Sequence, residues 1–570
     1  MMRARLLFLV FLVALLATNL VFGKTFNVDT VEEFQSALTE AQSNGQDDTI
    51  NVAAGTYNIT STLTYSTNNG DSGHTLTIQG AGADKTVLDG GGSVQILYIN
   101  TDADNNGGDA DGDITIKGMA FENGNSDGSG GGLLAIGDSI KITIKESTFS
   151  GNSANDDGGG VYAGSDSGTI TITNNTFSKN SADYSGGGVY ARSHVGPVTI
   201  TIINNTFSEN SANYRDGGGV YAGSDSGTIT ITNNTFSKNS ADVDGGGVYA
   251  RSGLGTVTIT IVNNTFSGNS ADWWGGGVYA KGYTVTITNN TFSGNSKGGA
   301  RAEGHTVTIT NNTFSGNSAY EGGGVYAFSW CKITITNNTF SGNSAEYDGS
   351  GVSGYLYYDS ARLNIYNNIL FDIAEHGGGV YAETYEGTIT ITNNTFSENS
   401  ANDYGGGVYV RLKHAFSGCD SATLNIYNNI LFDNIANEGG NDGDDLCVFC
   451  DSYTNYIVSI NLYNNDFSGN ADFNIGQSED LYITLTDNYH HADNIQKDPQ
   501  FVDPVNGDFH LKSNSPCIDK GNNSAPELPS TDFEGDPRII GGTVDIGADE
   551  YRNHAKSIKP MPWLHLLLGE

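Results

Sequence analysis

One motif returns so regularly that few folds can hold it. The unit T-I-T-I-T-N-N-T-F-S-x-N-S-A, then a variable turn, then G-G-G-V-Y-A, fills the middle of the chain. Its phenylalanine stands at Phe121, Phe149, Phe177, Phe207, Phe236, Phe266, Phe292, Phe314 and Phe340. The series continues less regularly at Phe371, Phe396, Phe432 and Phe467. The mean step is about 29 residues, and the shortest, Phe292 to Phe314, is 22. A propeller blade needs roughly 40 residues and four strands, which that step cannot supply. A leucine-rich repeat needs regular leucines, which are scarce between 150 and 350.

Each unit carries short strands with period-2 alternation. In Thr169-Ile170-Thr171-Ile172-Thr173 the isoleucines face one way and the threonines the other. In Gly160-Val161-Tyr162-Ala163, Val and Ala share a face opposite Tyr. One unit cannot bury its apolar face alone, but stacked units place Ile over Ile and Phe over Phe. The fold class expected is therefore all-β: a single-stranded right-handed parallel β-helix, a pectin-lyase-like solenoid. Roughly 13 to 16 coils at ~4.8 Å each give a rod roughly 60–75 Å long. Asn-Asn pairs (Asn174-Asn175, Asn204-Asn205, Asn233-Asn234 and onward) mark a turn, because Asn tolerates left-handed backbone and stacks its amides in ladders. The glycine triplets let neighbouring coils approach. The outward Tyr162, Tyr190, Tyr221, Tyr249, Tyr279 and Tyr326 are expected to stack as a ladder.

Open ends of such a rod need covers. At the amino end Thr30-Val31-Glu32-Glu33 is a capping box. Val31, Phe34, Ala37, Leu38 and Ala41 then share a helical face that ends near Gly45. Strands Thr49–Val52, Thr75–Ile78 and Ile96–Ile99 would form the first coils. The expected division is 1–23 export signal, 24–112 cap and first coils, 113–490 repeats, 491–553 carboxyl segment and 554–570 tail. Arg3 and Arg5 before the apolar Leu6–Leu16, with small residues near Val21-Phe22-Gly23, read as a cleavable export signal. The alternative is an uncleaved anchor, for which the apolar run is short. No other stretch is long enough to cross a bilayer, so no further transmembrane segment is expected.

The chain has 77 Gly, 9 Pro and a formal net charge of −38. That charge argues against nucleic acid and anionic lipid as partners. The five cysteines (331, 419, 447, 450, 517) are too few to scaffold the chain. Cys447-Val448-Phe449-Cys450 lacks the second pair of a metal knuckle, which leaves a local disulfide or thiols.

The F-S-x-N and G-G-G-V-Y alternation over about 120–470 resembles the F-x-x-N and G-G-A-I repeats of polymorphic outer-membrane proteins, which are adhesins. The carboxyl segment carries four motifs in order: Asp498-Pro499-Gln500-Phe501-Val502-Asp503-Pro504, Gly507-Asp508-Phe509-His510-Leu511, Ser515-Pro516-Cys517-Ile518-Asp519-Lys520-Gly521 and Asp545-Ile546-Gly547-Ala548-Asp549-Glu550-Tyr551. Together they resemble the choice-of-anchor Q domain, which implies a bacterial surface or secreted protein. About 19 residues follow Tyr551, with no translocating barrel and no sorting segment identified, so anchoring and release both stay open.

For ion chemistry the candidate is Asp102, Asp104, Asn106, Asp109, Asp111 and Asp113, with Gly107 at the sixth-residue turn. The spacing matches a calcium loop save for Asp113 in place of Glu, and a solvated acidic excursion is the plainer reading. Calcium is the one cofactor suggested. For glycan binding the candidates are Tyr184, Tyr214, Asp272, Trp273 and Trp274, on turns that would stack into one edge of carboxylates and aromatic rings. A solvated ridge would look the same.

Arg192, Arg251, Lys281 and Arg411 follow the G-G-G-V-Y-A strand, but a catalytic site must be singular and these positions recur. The best irregular stretch is Arg411-Leu412-Lys413-His414 with Asp420 nearby, where an insertion loop is the plainer reading. His490-His491 read as surface residues. The Asn174 and Asn204 sequons are explained more simply as the coil's own turn. The function expected is a structural or adhesive, secreted or cell-surface protein that binds an extracellular glycan or protein. The alternative is a polysaccharide lyase or glycoside hydrolase.

Overall fold

The structure is a computed structural model that describes residues 23–67, 73–101, 112–193, 196–253, 256–358, 360–413, 421–437, 444–450, 457–468, 473–477 and 489–552. The expected export signal and most of the calcium loop lie outside them. The chain winds as a parallel β-solenoid of about 14 turns. Among the described residues every coil-to-coil strand pairing is parallel, and the one antiparallel strand pair joins Phe501–Asp503 to Asp508–Leu511.

On the core-facing side the register sets like beside like. Ile170 and Ile172 sit beside Ile200 and Ile202, and Val189, Tyr190 and Ala191 beside Val220, Tyr221 and Ala222. The nine rings from Phe121 to Phe340 form one buried stack, with centroids 4.7–5.0 Å apart and planes within 4–7° of parallel. Isolated aromatic pairs prefer offset or edge contacts to a face-on sandwich. Here the strand spacing dictates the stack, and the Phe burial compensates.

Two polar ladders run through the apolar interior. The second Asn of each pair donates to the next coil's Asn and to the previous coil's backbone: Asn205 Nδ2 reaches Asn234 Oδ1 at 3.0 Å and Ile172 O at 2.9 Å. The Asn of F-S-x-N builds the other ladder, which had no assigned role in the sequence reading. Its Asn210 Nδ2 reaches Asn239 Oδ1 at 2.9 Å and Phe177 O at 3.0 Å. Each buried amide is thus satisfied at both ends, which a buried polar group requires. The glycine triplets act as expected: Gly158 has φ 72°, and a Cβ on Gly159 would stand 2.3 Å from Ser181 O.

The amino end is covered by α1 (Val31–Ala41), whose N-cap Thr30 accepts from Glu33 N at 3.2 Å. Glu33 reaches back to Asp29 N at 3.1 Å. Phe34, Ala37, Leu38 and Ala41 are buried, as their spacing predicts. The described residues include no helix long and apolar enough to cross a membrane.

One expectation needs correction. Phe371 and Phe432 do not join the phenylalanine stack. Leu370 pairs with Phe340 and Phe396, and Leu431 with Phe396 and Phe467. Those coils read Asn-Asn-Ile-Leu-Phe where the consensus reads Asn-Asn-Thr-Phe-Ser. The one-residue offset sends Leu inward and turns the flanking residues outward. There Phe371, Phe432, Ile369 and Ile430 form a second apolar cluster with Phe501, Phe509, Cys517 and Ile546 of the carboxyl segment. That segment lies back along the last coils, held by the first Asn of successive pairs. Asn367 donates to Thr531 O (2.7 Å), Asn393 to Asp545 O (3.1 Å), Asn428 to Asn522 O (3.2 Å) and Asn464 to Lys520 O (2.9 Å). In earlier coils the equivalent residue, such as Asn174, is exposed. The outward tyrosines stack as expected, and in doing so Tyr190, Tyr221, Tyr249 and Tyr279 bury one another. Cys331, Cys447 and Cys517 are thiols, so Cys447 forms no local disulfide.

One rung of the second ladder is flawed. Asp372 stands where an Asn belongs: it accepts from Asn343 Nδ2 at 3.1 Å, but its Oδ2 has no partner. Burial pushes its carboxyl up to about 8, against opposing hydrogen bonds from Asn343. Between pH ~4 and ~8 the unfolded chain releases this proton while the folded chain keeps it, so stability falls across that window. Asp372→Asn restores the missing donor. Thermal unfolding is expected to show a gain on the order of 1–3 kcal/mol at pH 8, shrinking toward pH 4. A gain independent of pH contradicts this assignment.

Candidate functional site

The G-G-G-V-Y-A strands present two outward columns, because alternate residues share a face. The first runs through Tyr162, Tyr190, Tyr221, Tyr249, Tyr279, Arg301 and Tyr326. The second, two residues on, runs through Gly164, Arg192, Gly223, Arg251, Lys281 and Glu303. The Tyr162–Tyr190, Tyr190–Tyr221 and Tyr221–Tyr249 rings stack at 4.6–5.4 Å, and Tyr249–Tyr279 meet edge to face at 5.1 Å. Burial, helped by Asp157, pushes the Tyr162 phenol up to about 12, so the floor is uncharged at neutral pH.

A cleft of about 280 Å³ opens over these columns, bounded by the acidic turn on one side and by Ser193, Ser224 and Asp225 on the other. Arg192, Arg215 and Arg251 line it together with Tyr184, Tyr190 and Tyr221, and with the carboxylates of Asp157, Asp216 and Asp225. Arg192 Nη1 donates to Tyr190 Oη at 3.1 Å. The glycine at 223 leaves room: its nearest Arg192 atom would lie 3.6 Å from an added Cβ. Asp157 and Asp216 close the ridge side, their carboxyls raised by desolvation and drawn back by the arginines. Three cations thus meet in one cleft of a chain whose 26 Lys and Arg face 64 Asp and Glu. The arrangement can hold an anionic, ring-bearing ligand through charge-assisted hydrogen bonds and aromatic contact.

The expected glycan residues do lie on one ridge, but they divide. Tyr184 lines the cleft, with the Arg215 guanidinium 5.9 Å over its ring. Tyr214 (66% exposed) and Trp273 (60% exposed) stand on the outer rim. Asp272 is exposed beside them. Trp274, also exposed, carries the Arg301 guanidinium 4.2 Å over its ring.

That arginine belongs to the shortest unit, where Ser296-Lys297-Gly298-Gly299-Ala300 replaces the long acidic turn. Arg301 takes a tyrosine's place, 4.0 Å under Tyr326. Its Nε donates to Glu303 Oε1 at 2.7 Å, and Glu303 also holds Lys281 at 3.0 Å and Tyr279 Oη at 2.9 Å. Desolvation works to raise the Glu303 carboxyl, yet Arg301 and Lys281 hold it below its ordinary value. Two coils before Arg301, burial and then Asp216 push Asp244 up to about 7, and its Oδ1 has no hydrogen-bond partner. Sequence reasoning missed this group, although the 22-residue step and an Arg at a Tyr position both signalled it.

Further along, the same face turns acidic. His376 bridges Asp348 (3.2 Å) and Asp403 (3.0 Å). The Arg411–His414 candidate does not assemble into a site among the described residues: Lys413 is paired with Glu383 at 2.8 Å, and Arg411 lies over Phe449. His414 and Asp420 lie outside the described residues, and His490 and His491 are exposed, as expected. Of the calcium candidates, Asp102, Asp104, Asn106, Asp109 and Asp111 also lie outside. Asp113 Oδ1 accepts from Lys141 N at 2.9 Å, which ties it to the next coil.

The model of the family described as "Right handed beta helix region" matches residues 65–266 and 252–420, well over half of the chain. The chain belongs to the right-handed β-helix family. Among solved structures it is similar to an arginine-to-alanine mutant of the PL6 family alginate lyase AlyGC, at 13% identity, 83% of this chain, 80% of that one and a TM-score of 0.31. The unmutated AlyGC lyase gives 13% identity, 79% of this chain, 81% of that one and a TM-score of 0.22. ORF18 of Geobacillus virus E2 gives 12%, 70%, 59% and 0.19. No curated protein matches the sequence.

Arg301 and the cleft arginines should separate by stability. Removing one partner of a nearly buried pair strands the other, so Arg301→Ala should cost on the order of 3 kcal/mol. Adding Glu303→Ala should recover much of that loss. Arg192→Ala, facing the open cleft, should cost less than about 1 kcal/mol. Thermal unfolding of the four proteins checks the order, and an equal loss for Arg192→Ala and Arg301→Ala would contradict the assignment.

Proposed function

We propose that this is an exported or cell-surface solenoid of adhesive type whose tyrosine–arginine cleft binds an acidic extracellular glycan. The observation that carries the reading is that Arg192, Arg215 and Arg251 line one cleft with Tyr190 and Tyr221 in a strongly acidic chain. A merely solvated face of such a chain has no reason to gather its scarce cations. Parallel stacking repeats outward positions every ~4.8 Å, which offers a linear polymer successive contacts on one track. The amino-terminal apolar stretch supports export. The resemblance of the repeats to polymorphic outer-membrane proteins, and of residues 498–551 to the choice-of-anchor Q domain, supports a surface or secreted setting.

A second reading, cleavage of an extracellular polysaccharide, is favoured by one place alone. The Lys281–Glu303–Arg301 group occurs once among the described coils, as a catalytic site must. The two readings part in one assay, in which purified protein meets acidic and neutral polysaccharides with and without calcium. Retention without turnover, abolished by salt, fits binding; unsaturated ends or new reducing ends fit cleavage. On a glycan array, Arg192→Ala with Arg251→Ala should weaken capture of acidic glycans by about 10-fold or more, since each charged hydrogen bond contributes ~1.5–3 kcal/mol. Undiminished binding by that variant would remove the cleft from the account.

A further inference from the structure

The carboxyl segment holds a group that the glycan reading does not use. His510, on the strand Asp508–Leu511, lies against two carboxylates from distant turns, Glu534 and Asp549. His510, Glu534 and Asp549 each bring one potential ligand atom within 4.8 Å of the others. The imidazole is oriented: Nδ1 meets Asp508 Oδ1 at 2.5 Å, and Asp508 also accepts from His510 N at 3.2 Å. A carboxylate that fixes one ring nitrogen leaves the other aimed and more basic, which is the outer-shell partner metal-ligating histidines have. The other nitrogen, Nε2, stands 3.4 Å from Glu534 Oε1. That is long for a charge-assisted hydrogen bond. It equals the ligand-to-ligand spacing, ~3.4 Å, of a tetrahedral ion with bonds of ~2.1 Å.

Asp549 is nearly buried, while Glu534 keeps some exposure and so offers an entry side. We propose that His510, Glu534 and Asp549 form a divalent transition-metal site, with Asp508 as the positioning residue behind the histidine. One nitrogen and two carboxylates suit Zn²⁺ or Mn²⁺ better than Ca²⁺, which takes six to eight oxygens. The ion would tie three segments, at 508–511, 534 and 549, into one cap over the last coils. Binding would then add to the stability of the folded cap. The group is distant in sequence from the cleft and stands independently of the glycan reading.

The test uses the full chain freed of metal, titrated with Zn²⁺ and Mn²⁺ by calorimetry and by thermal unfolding, with Ca²⁺ alongside. A chain with 64 acidic residues collects cations loosely, so the readout is the difference between wild type and variants. Wild type should take up one ion more tightly than the rest, with a rise in melting temperature that Ca²⁺ does not reproduce. Glu534→Gln, at a partly exposed turn, should abolish that site, and Asp508→Asn should weaken it by about 10–100-fold while leaving the stoichiometry. The alternative is an imidazolium clamped by three carboxylates. Wild type without a saturable site, or Glu534→Gln binding as tightly as wild type, would establish that clamp and overturn the proposal.

Discussion

Everything in this molecule depends on one constraint: parallel backbone pairing holds equivalent residues of neighbouring coils at the spacing of two β-strands. At that distance a residue meets its own kind, and only some kinds tolerate it. Isoleucine and phenylalanine gain burial. Asparagine gains more, because its amide is donor and acceptor at once and can pass a hydrogen bond along the axis indefinitely. Charged residues gain nothing from such stacking, and in the described Asn ladder an acid takes an amide's place at Asp372 and at the ladder-end Asp445. In both, burial drives the carboxyl toward its neutral form.

The same constraint explains where chemistry can appear. A perfectly periodic surface offers many identical positions and no singular one. Distinct groups therefore arise where the repeat breaks: Arg301 where the turn is shortest, and the Asn-Asn-Ile-Leu-Phe coils where the outward face becomes apolar enough to dock the carboxyl segment. The cleft is intermediate, since it needs Arg and Gly to alternate down one column so that each side chain has room.

Much of this was legible beforehand. Period, strand alternation, the Asn-Asn turn and the Thr30 cap follow from local chemistry, which each unit carries whole. The exposed ridge at Tyr184, Tyr214 and Trp273 followed too, because a turn outside a packed coil has nowhere to hide its rings. What escaped required two coils at once. Phe371 and Phe432 look like members of the stack until their Leu neighbours are placed in register. Arg215 looks like a turn residue until the turn folds beside Arg192 and Arg251. His510 sits 24 residues from Glu534 and 39 from Asp549, with no spacing rule to announce them. The tyrosine ladder was legible as well, because an outward column in register covers its own faces.

Engineered cysteines can read the register itself. Thr171 pairs with Thr201, and both face outward from the TITIT strands. Adjacent parallel strands place such α-carbons within disulfide reach. Thr171→Cys with Thr201→Cys should cross-link readily under mild oxidation, whereas Thr171→Cys with Ile202→Cys, one residue out and on the opposite face, should not. Cross-linking of the second pair in preference to the first would mean that the coils stack in a different register, and the ladders and the cleft would fall with it.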